Sequence, residues 1–423
     1  MQKKYFYSTT IILLGFLCLN FINISAQCQE RYFTDLFEPP EDSISVEYGK
    51  NIKSNGVEQT LFMDIYEPAD DNQTCRPVIF VAFGGSFIRG SRTDLDINYI
   101  CKKFTRKGYV AIAIDYRLES GIENLSNSEK MVKALVRAVH DGKAAIRYLR
   151  KNAIDGNNDY GVDPDQIYFA GISAGALLGI HLAYMDLDDP FEEEWVEYIE
   201  DLGGLEGDSG TPGYSSEVSG IINIAGAIGG LEFIEEGDVP IISFHSNGDN
   251  VVPFKTGYPL GYSALPLVYG SFHINNRMEE LGIETSLFEY DDNFHPPYFG
   301  DNEIFINVID DIVLNTEGFL YNLVQCNDCP TIDTTIIGIN DLIQFENVDI
   351  FPNPTAGLLN VKIEGIKSDG VEWSLIDQAG KSIGAGFENG DQFALDLSEF
   401  SSGFYFLKLE TEDRVSVEKV ILK

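Results

Sequence analysis

The sequence predicts an α/β protein, a mostly parallel doubly wound sheet followed by a small all-β domain. Three observations predict it. Continuous apolar runs at Val78–Phe83 and Tyr109–Asp115 have the composition of strands buried on both faces, as parallel strands are. Helix-period segments lie between such runs, and strands alternating with helices build a sheet whose sites lie at strand C-termini. After Val324 the pattern changes to short alternating strands separated by Gly and polar residues, as in a small antiparallel sandwich.

In chain order, Ser43–Tyr48 and Gln59–Tyr66 alternate in polarity, as half-exposed antiparallel edge strands should. Tyr99–Lys107 reads as an amphipathic helix. Met131–Lys151 sets Leu135, Val139, Ile146 and Leu149 at three-, four- and seven-residue steps, so one helix face is buried. Ile167–Ala170 is a strand that runs into Gly171-Ile172-Ser173-Ala174-Gly175 and then into the helix-forming run Ala176–Ala183. Gly220–Ala225, Pro240–His245 and Thr285–Tyr290 are further strands, and Gly270–Leu281 is helical. In the tail, strands are expected at Asn360–Glu364, Glu372–Asp377, Gln392–Leu397, Gly403–Leu409 and Ser416–Leu422.

Of the 423 residues, 44% are hydrophobic and 12% aromatic, enough for sizeable cores and incompatible with wholesale disorder. The 29 basic and 67 acidic side chains leave a formal charge of −38, which repels nucleic acid and anionic membranes. Nucleic-acid binding is therefore excluded as an expectation. At the N-terminus, Lys3 and Lys4 precede a mostly apolar Thr9–Ile24 and the small residues Ser25-Ala26, the layout of an export signal over 1–26. The apolar run is short for a membrane anchor, and no later segment is long and apolar enough to span a bilayer.

Removing Cys18 with that signal leaves Cys28, Cys75, Cys101, Cys326 and Cys329, an odd number in an oxidising compartment. Cys101, on a helical face, is the expected buried single. Cys326 and Cys329 fit a local disulfide better than half a zinc site, because no second pair stands at zinc spacing. Pairing of Cys28 with Cys75 is left open. No metal and no cofactor is expected.

The chemistry centres on Ser173. A serine that stands clear at a strand end needs strained backbone angles, and glycines two residues to either side let strand and helix pack around it, the layout of a G-x-S-x-G elbow. Three loops at strand ends complete a site. Phe83-Gly84-Gly85-Ser86-Phe87 can aim backbone N–H groups at a developing negative oxygen, with the Ala174 N–H as partner. Asp249, in the loop after Pro240–His245, can hold an imidazole in the right tautomer. His295, in the loop after Thr285–Tyr290, can take the proton of Ser173 and return it to a leaving group. His140, His181 and His273 lie on helical runs and read as structural; His245 ends a strand and precedes the acid. Asp291 and Asp292 are weaker acids, too close in sequence to His295 to reach around its ring.

The order Ser173, Asp249, His295 on this strand pattern resembles the α/β-hydrolases over roughly Ser43–Val324. "LFMDIYEP", "AIDYRL", "DGKAAIRYLRKNA" and "NVVPF" resemble secreted esterases near bacterial feruloyl esterases, carboxylesterases and hormone-sensitive-lipase-like enzymes. That resemblance implies an ester substrate and an HGGG-type oxyanion loop, with Gly85 and Ser86 at its third and fourth positions. The chain departs from that pattern with Phe83 where His is usual and Ser86 where the last Gly is usual, which leaves the subfamily open. A prolyl-oligopeptidase-type peptidase is the rival, disfavoured because no propeller-like module precedes the sheet. A decayed, purely binding hydrolase is disfavoured by the intact residue set.

The acidic, loop-rich insertion Asp186–Ser216, with Trp195 and Tyr198, fits either a rim over the site or a solvated excursion. "IFPNPTAGLLNV", "DLSEFSSGFYFLKL" and "KVILK" in the tail closely resemble the type A sorting domain of the type IX secretion system. This implies export across the outer membrane of a Bacteroidetes-like bacterium, with the secretion machinery as partner and a secreted or surface location. A carbohydrate-binding module is the alternative for the tail. The expected boundaries are 1–26 signal, 27–324 catalytic domain, 325–346 linker and 347–423 sorting domain.

Overall fold

The computed structural model describes residues 31–325 apart from 122–125, 187–188 and 192. It also describes 343–423 apart from 345–346, 356, 365–369, 377–381, 399, 402 and 412–413. The expected signal, Cys28, Cys326, Cys329 and most of the expected linker lie outside these residues. The chain divides into two compact units, Met1–Cys329 and Pro330–Lys423.

The first unit begins with β1 (Ile44–Ile52), β2 (Glu58–Tyr66) and β3 (Arg76–Ala82), followed by α1 (Leu95–Thr105), β4 (Val110–Ile114), α2 (Ser128–Asp155), β5 (Val162–Ile172), α3 (Ala174–Tyr184) and α4 (Glu193–Asp201). Then come β6 (Gly220–Ile224), β7 (Ala227–Ile228), β8 (Ile241–Ser246), β9 (Thr256–Gly257), β10 (Val268–Gly270), α5 (Ser271–Leu281), β11 (Thr285–Tyr290) and α6 (Asn302–Leu323). Eight strands form one sheet in the order β1-β2-β4-β3-β5-β6-β8-β11. The pairs β1/β2 and β2/β4 are antiparallel and the rest are parallel.

The burial pattern explains the layout. Every residue of β3, β4, β6 and β8 is buried, as strands covered on both faces must be, whereas β1 alternates at the sheet edge. α2 starts at Asn127, whose side chain accepts from the Lys130 N–H, and buries Leu135, Val139, Ile146 and Leu149. α3 (AGALLGIHLAY) is buried on all sides except at Ala183, so it has no polar face. It reaches α2 closely because Gly142 has no side chain: a Cβ there would lie 2.8 Å from Leu178 Cδ2. Cys101 is a free, buried thiol on α1.

Residue pairing puts the functional ends of the strands at one rim. Ala82 stands opposite both Ile114 and Gly171, Gly171 opposite Asn223, Ile224 opposite Phe244, and Ser246 opposite Tyr290. The loops that leave β3, β5, β8 and β11 therefore emerge side by side.

The insertion is fastened to α2. His140 Nε2–H donates to Gly204 O (2.6 Å), Lys143 and Arg147 pair with Glu206 (2.6 Å each), and Arg147 also donates to Ser209 O and Thr211 O. The buried Asp141 accepts from Arg117 and from Ser209 Oγ. This is no solvated excursion: cations lined up on one helix face capture its carbonyls and Glu206. A second feature was not expected, the segment between β8 and α5, where β9 and β10 join β7 in a small three-stranded sheet. Its strands of two and three residues are too short to show a period in sequence.

The second unit holds β12 (Ile343–Gln344), β13 (Asn347–Phe351), β14 (Leu358–Glu364), β15 (Val371–Ile376), β16 (Ser382–Glu388), β17 (Gln392–Asp396), β18 (Gly403–Glu410) and β19 (Arg414–Leu422). They form a five-stranded sheet, β12-β19-β18-β15-β16, and a three-stranded sheet, β13-β14-β17. Leu359, Val361, Leu375, Leu407, Leu409 and Val420 are at the centre of the core. β12 falls inside the expected linker. β16 (SIGAGFE) escaped the sequence pattern because two glycines interrupt it; Gly386 lies against Trp373, and a Cβ there would be 2.7 Å from the indole Nε1.

Candidate active site

The elbow is built from strain and close approach. β5 ends at Ile172 and α3 begins at Ala174, leaving Ser173 at φ 53°, ψ −114°, a region that L residues occupy only when their surroundings force it. Its flanking glycines are required. A Cβ on Gly171 would stand 2.1 Å from Gly175 O, and one on Gly175 would stand 2.2 Å from Ala82 O. Gly175→Ala is thus expected to lower stability by about 3 kcal/mol or more, since neither contact is with a movable side chain; the midpoint of urea unfolding measures it.

Ser173 is largely buried, 7% exposed. Its Oγ–H donates to His295 Nε2 at 2.6 Å, and His295 Nδ1–H donates to Asp249 Oδ2 at 2.5 Å. The carboxylate can only accept, so Nδ1 carries the proton and Nε2 is left as the acceptor for serine. Asp249 Oδ1 accepts from the N–H groups of Val251 (2.7 Å) and Val252 (3.0 Å). Burial pushes the Asp249 carboxyl upward, but the hydrogen bonds from His245 and His295 outweigh it and hold the group at about 2. The acid and histidine loops are stitched together: Asn247 N–H donates to Tyr290 O and Gly248 N–H to Asp292 O. Asp291 and Asp292 are used elsewhere, accepting from the Asn247 side chain and the Phe294 N–H.

The loop after β3 turns through left-handed backbone at three successive residues, Gly85 (φ 119°), Ser86 (φ 55°) and Phe87 (φ 57°). Gly85 must be glycine, because a Cβ would lie 2.2 Å from Arg89 O. Gly84 packs on the nucleophile; a Cβ there would be 3.3 Å from Ser173 Cβ. Among the described residues, no acceptor takes the N–H of Gly85 or Ser86. Ala174 is the first residue of α3, where a helix N–H has no partner within the helix. Phe83 is buried and stacks on Tyr116 at 4.3 Å, while the Tyr116 hydroxyl donates to Phe83 O at 2.8 Å. The side chain at this position braces the loop from beneath.

A shallow apolar recess, open to solvent, lies beside α3; its walls include Leu135, Leu177, Trp195, Pro259 and Val268. Leu177 is one helical turn beyond Ser173, and Trp195, from the insertion, packs against Phe233. Tyr198 instead lies under the Lys133 ammonium. His181 donates from Nδ1 to Leu177 O (2.8 Å) and accepts at Nε2 from Gly229 N–H (3.0 Å), a buried structural role. His273 stacks edge-on against Tyr269 and Phe272. Gly84 entered the sequence reading only as part of its loop, and His245 was set aside because it ends a strand and precedes the acid; both adjoin the site.

Among the described residues, no cluster of His, Cys, Asp and Glu could hold a metal ion, and no helix is long and apolar enough to cross a membrane.

The eight-stranded sheet order and the serine elbow between β5 and α3 define an α/β-hydrolase fold. Residues 63–203 match the BD-FAE family, and residues 349–423 match the secretion system C-terminal sorting domain. The chain thus joins an esterase-like α/β-hydrolase domain of the BD-FAE kind to a C-terminal sorting domain.

Among curated proteins it is 28% identical over 134 residues to a carboxylic ester hydrolase of Bombus ignitus, covering 31% of this chain and 22% of that protein. It is 29% identical over 119 residues to gut esterase 1 of Caenorhabditis briggsae, covering 28% and 20%. The chain spans about a fifth of the length of these relatives. Among solved structures, propionate-bound esterase 2 of Thermogutta terrifontis aligns with a TM-score of 0.48 and 23% identity, over 68% of this chain and 98% of that one.

Proposed function

We propose that this chain is an exported serine hydrolase of carboxylic esters that works through an acyl-enzyme. The observation that carries the reading is the continuous relay Ser173–His295–Asp249, with contacts of 2.6 and 2.5 Å. Ser173 Oγ attacks the ester carbonyl while its proton passes to His295 Nε2, and the N–H groups of Gly85, Ser86 and Ala174 receive the oxyanion. Collapse of the tetrahedral intermediate expels the alcohol, which takes the proton from His295. Water, deprotonated by the same imidazole, then releases the acid and restores Ser173. Asp249 stays ionised throughout and stabilises the imidazolium.

The apolar wall formed by Leu177 and Trp195 favours an apolar acyl group over a charged one, and the ester hydrolases among the relatives favour the same bond type. Short-chain esters and acylated polysaccharides are the proposed substrates. The proposed division of the chain is signal 1–26, catalytic domain 27–324, linker 325–346 and sorting domain 347–423. Export through the type IX machinery is supported by the tail match.

A panel of matched esters and anilides tests the bond type. The expected outcome is preferential cleavage of short-chain p-nitrophenyl esters and acetylated or feruloylated polysaccharides; preferential anilide cleavage would reassign the chain as a peptidase.

A further inference from the structure

We propose that His245 is a positioning residue for the catalytic acid: its Nε2–H donates to Val252 O in the turn whose N–H groups grip Asp249, and it lies 3.3 Å from Asp249 Oδ2, keeping that carboxylate turned toward His295. The inference rests on the serine-hydrolase reading of Ser173, His295 and Asp249. His245 is the penultimate residue of β8 and is fully buried. Both ring nitrogens are engaged. Nδ1 lies 2.8 Å from Ser271 Oγ, at the first residue of α5. Nε2 lies 3.1 Å from Val252 O and 3.3 Å from Asp249 Oδ2. Those two oxygens bear no proton, so Nε2 must carry one.

The other side of the ring is set by Asn223 on β6. Its Oδ1 accepts from Gly226 N–H at 2.8 Å, which fixes the amide orientation. Its Nδ2 group therefore donates, to Ser243 Oγ at 3.0 Å and to Ser271 Oγ at 2.9 Å. With a lone pair of Ser271 occupied, the hydroxyl hydrogen turns to His245 Nδ1. The hydrogen bonds then run in one direction, from Asn223 through Ser271 and His245 to Val252 O beside Asp249, in a buried region where such chains reinforce one another.

His245 matters because of how the carboxylate is surrounded. Asp249 receives two backbone N–H groups on Oδ1, and on Oδ2 it meets His295 from one loop and His245 from the strand. Among the described residues, His245 is the strand-side group that opposes rotation of the carboxylate away from His295, beside the two N–H groups on Oδ1. Without His245 the carboxylate's charge would be less shared, which favours the imidazolium form of His295. Among the described residues, the charged group facing His245 is Asp249, and the ring of Phe254 covers it. His295 faces Asp249 and Ser173, with Asp291 and Asp292 on its own loop held by other donors.

The test measures kcat and KM for p-nitrophenyl acetate across pH, with thermal melts, on the full chain and on His245→Leu, His245→Gln, Ser271→Ala and Ser173→Ala. His245→Leu is expected to lower kcat about 10- to 100-fold, as loss of a buried polar partner beside the catalytic carboxylate and of the bond to Val252 O should. KM should change little, and the acidic limb of the kcat/KM profile should move to higher pH. His245→Gln, whose amide nitrogen reaches the position of Nε2, should recover most of the rate and restore the limb. Ser271→Ala should fall between the two and keeps the test decisive if the leucine variant does not fold.

A folded His245→Leu or Ser271→Ala enzyme with wild-type kcat and an unmoved limb would overturn the proposal. So would equal losses in the Leu and Gln variants with no shift of the limb, the mark of a purely structural role. Ser173→Ala separates the two readings: if it is inactive while His245→Leu is normal, only the positioning role fails. If it stays active, the hydrolase reading fails and the proposal with it.

Discussion

Ser173→Ala is expected to lower hydrolysis of short-chain p-nitrophenyl esters by on the order of 10⁴-fold or more while leaving the protein folded. The loss is large because the oxygen attacked through and the proton donor to His295 vanish together. What remains is the proposed oxyanion loop, whose donors would come from the backbone of Gly85, Ser86 and Ala174 and are untouched by the change. Folding should survive: Ser173 contributes to the elbow through its backbone, its N–H donating to Ile224 O and its carbonyl accepting from Ala176 and Leu177. Initial rates at matched protein concentration check the outcome, and full activity in the variant would remove Ser173 from the mechanism.

Acid should destabilise the catalytic unit progressively between pH 6.5 and 4, and two histidines away from the reaction are the expected cause. Burial holds His181 at about 4, against an ordinary 6.5. Protonating Nε2 would set an N–H against the N–H of Gly229. Burial likewise holds His140 at about 4, with Arg117 and Lys143 adding repulsion. Between pH 6.5 and 4 the unfolded chain binds protons at these positions and the folded chain does not. Stability therefore falls as pH falls through that window, by up to ~3 kcal/mol per histidine. Two such losses approach the whole stability of an ordinary domain.

Asp96, Asp115 and Glu317 have carboxyls that burial pushes upward, so they work in the opposite direction. The comparison that isolates the effect is urea unfolding of the wild type and His140→Gln at several pH values. The glutamine keeps the bond to Gly204 O and removes the titration, so its stability curve should be flatter between pH 6.5 and 4. Parallel curves would mean that His140 takes its proton without cost.

The sheet could be read from sequence because burial on both faces demands unbroken apolar runs, and β3, β4 and β8 are such runs. Ser173 could be read because strained backbone and close approach demand glycine at fixed offsets, and Gly171 and Gly175 meet backbone atoms within 2.2 Å where a Cβ would be. Asp249 and His295 were named from weaker grounds, as polar residues in loops after late strands. They are found at the same rim because parallel strands in register deliver their ends together.

Other features left no local trace. The glycines of β16 hide a strand whose partner surface is Trp373, and β9 and β10 are too short to show a period. The fastening of the insertion depends on Lys143 and Arg147, which in sequence look like ordinary helix cations.

By itself, then, the sequence determined the order of strands and helices, the elbow around Ser173 and the change of architecture after Val324. Each is dictated by neighbours along the chain: side-chain period, backbone angle, composition. Tertiary structure alone decided which histidine meets Ser173, that Ser271 and Asn223 back His245, and that Trp195 walls a recess beside α3. Those outcomes depend on distances between residues tens to more than a hundred positions apart, and only strand register and helix packing set such distances.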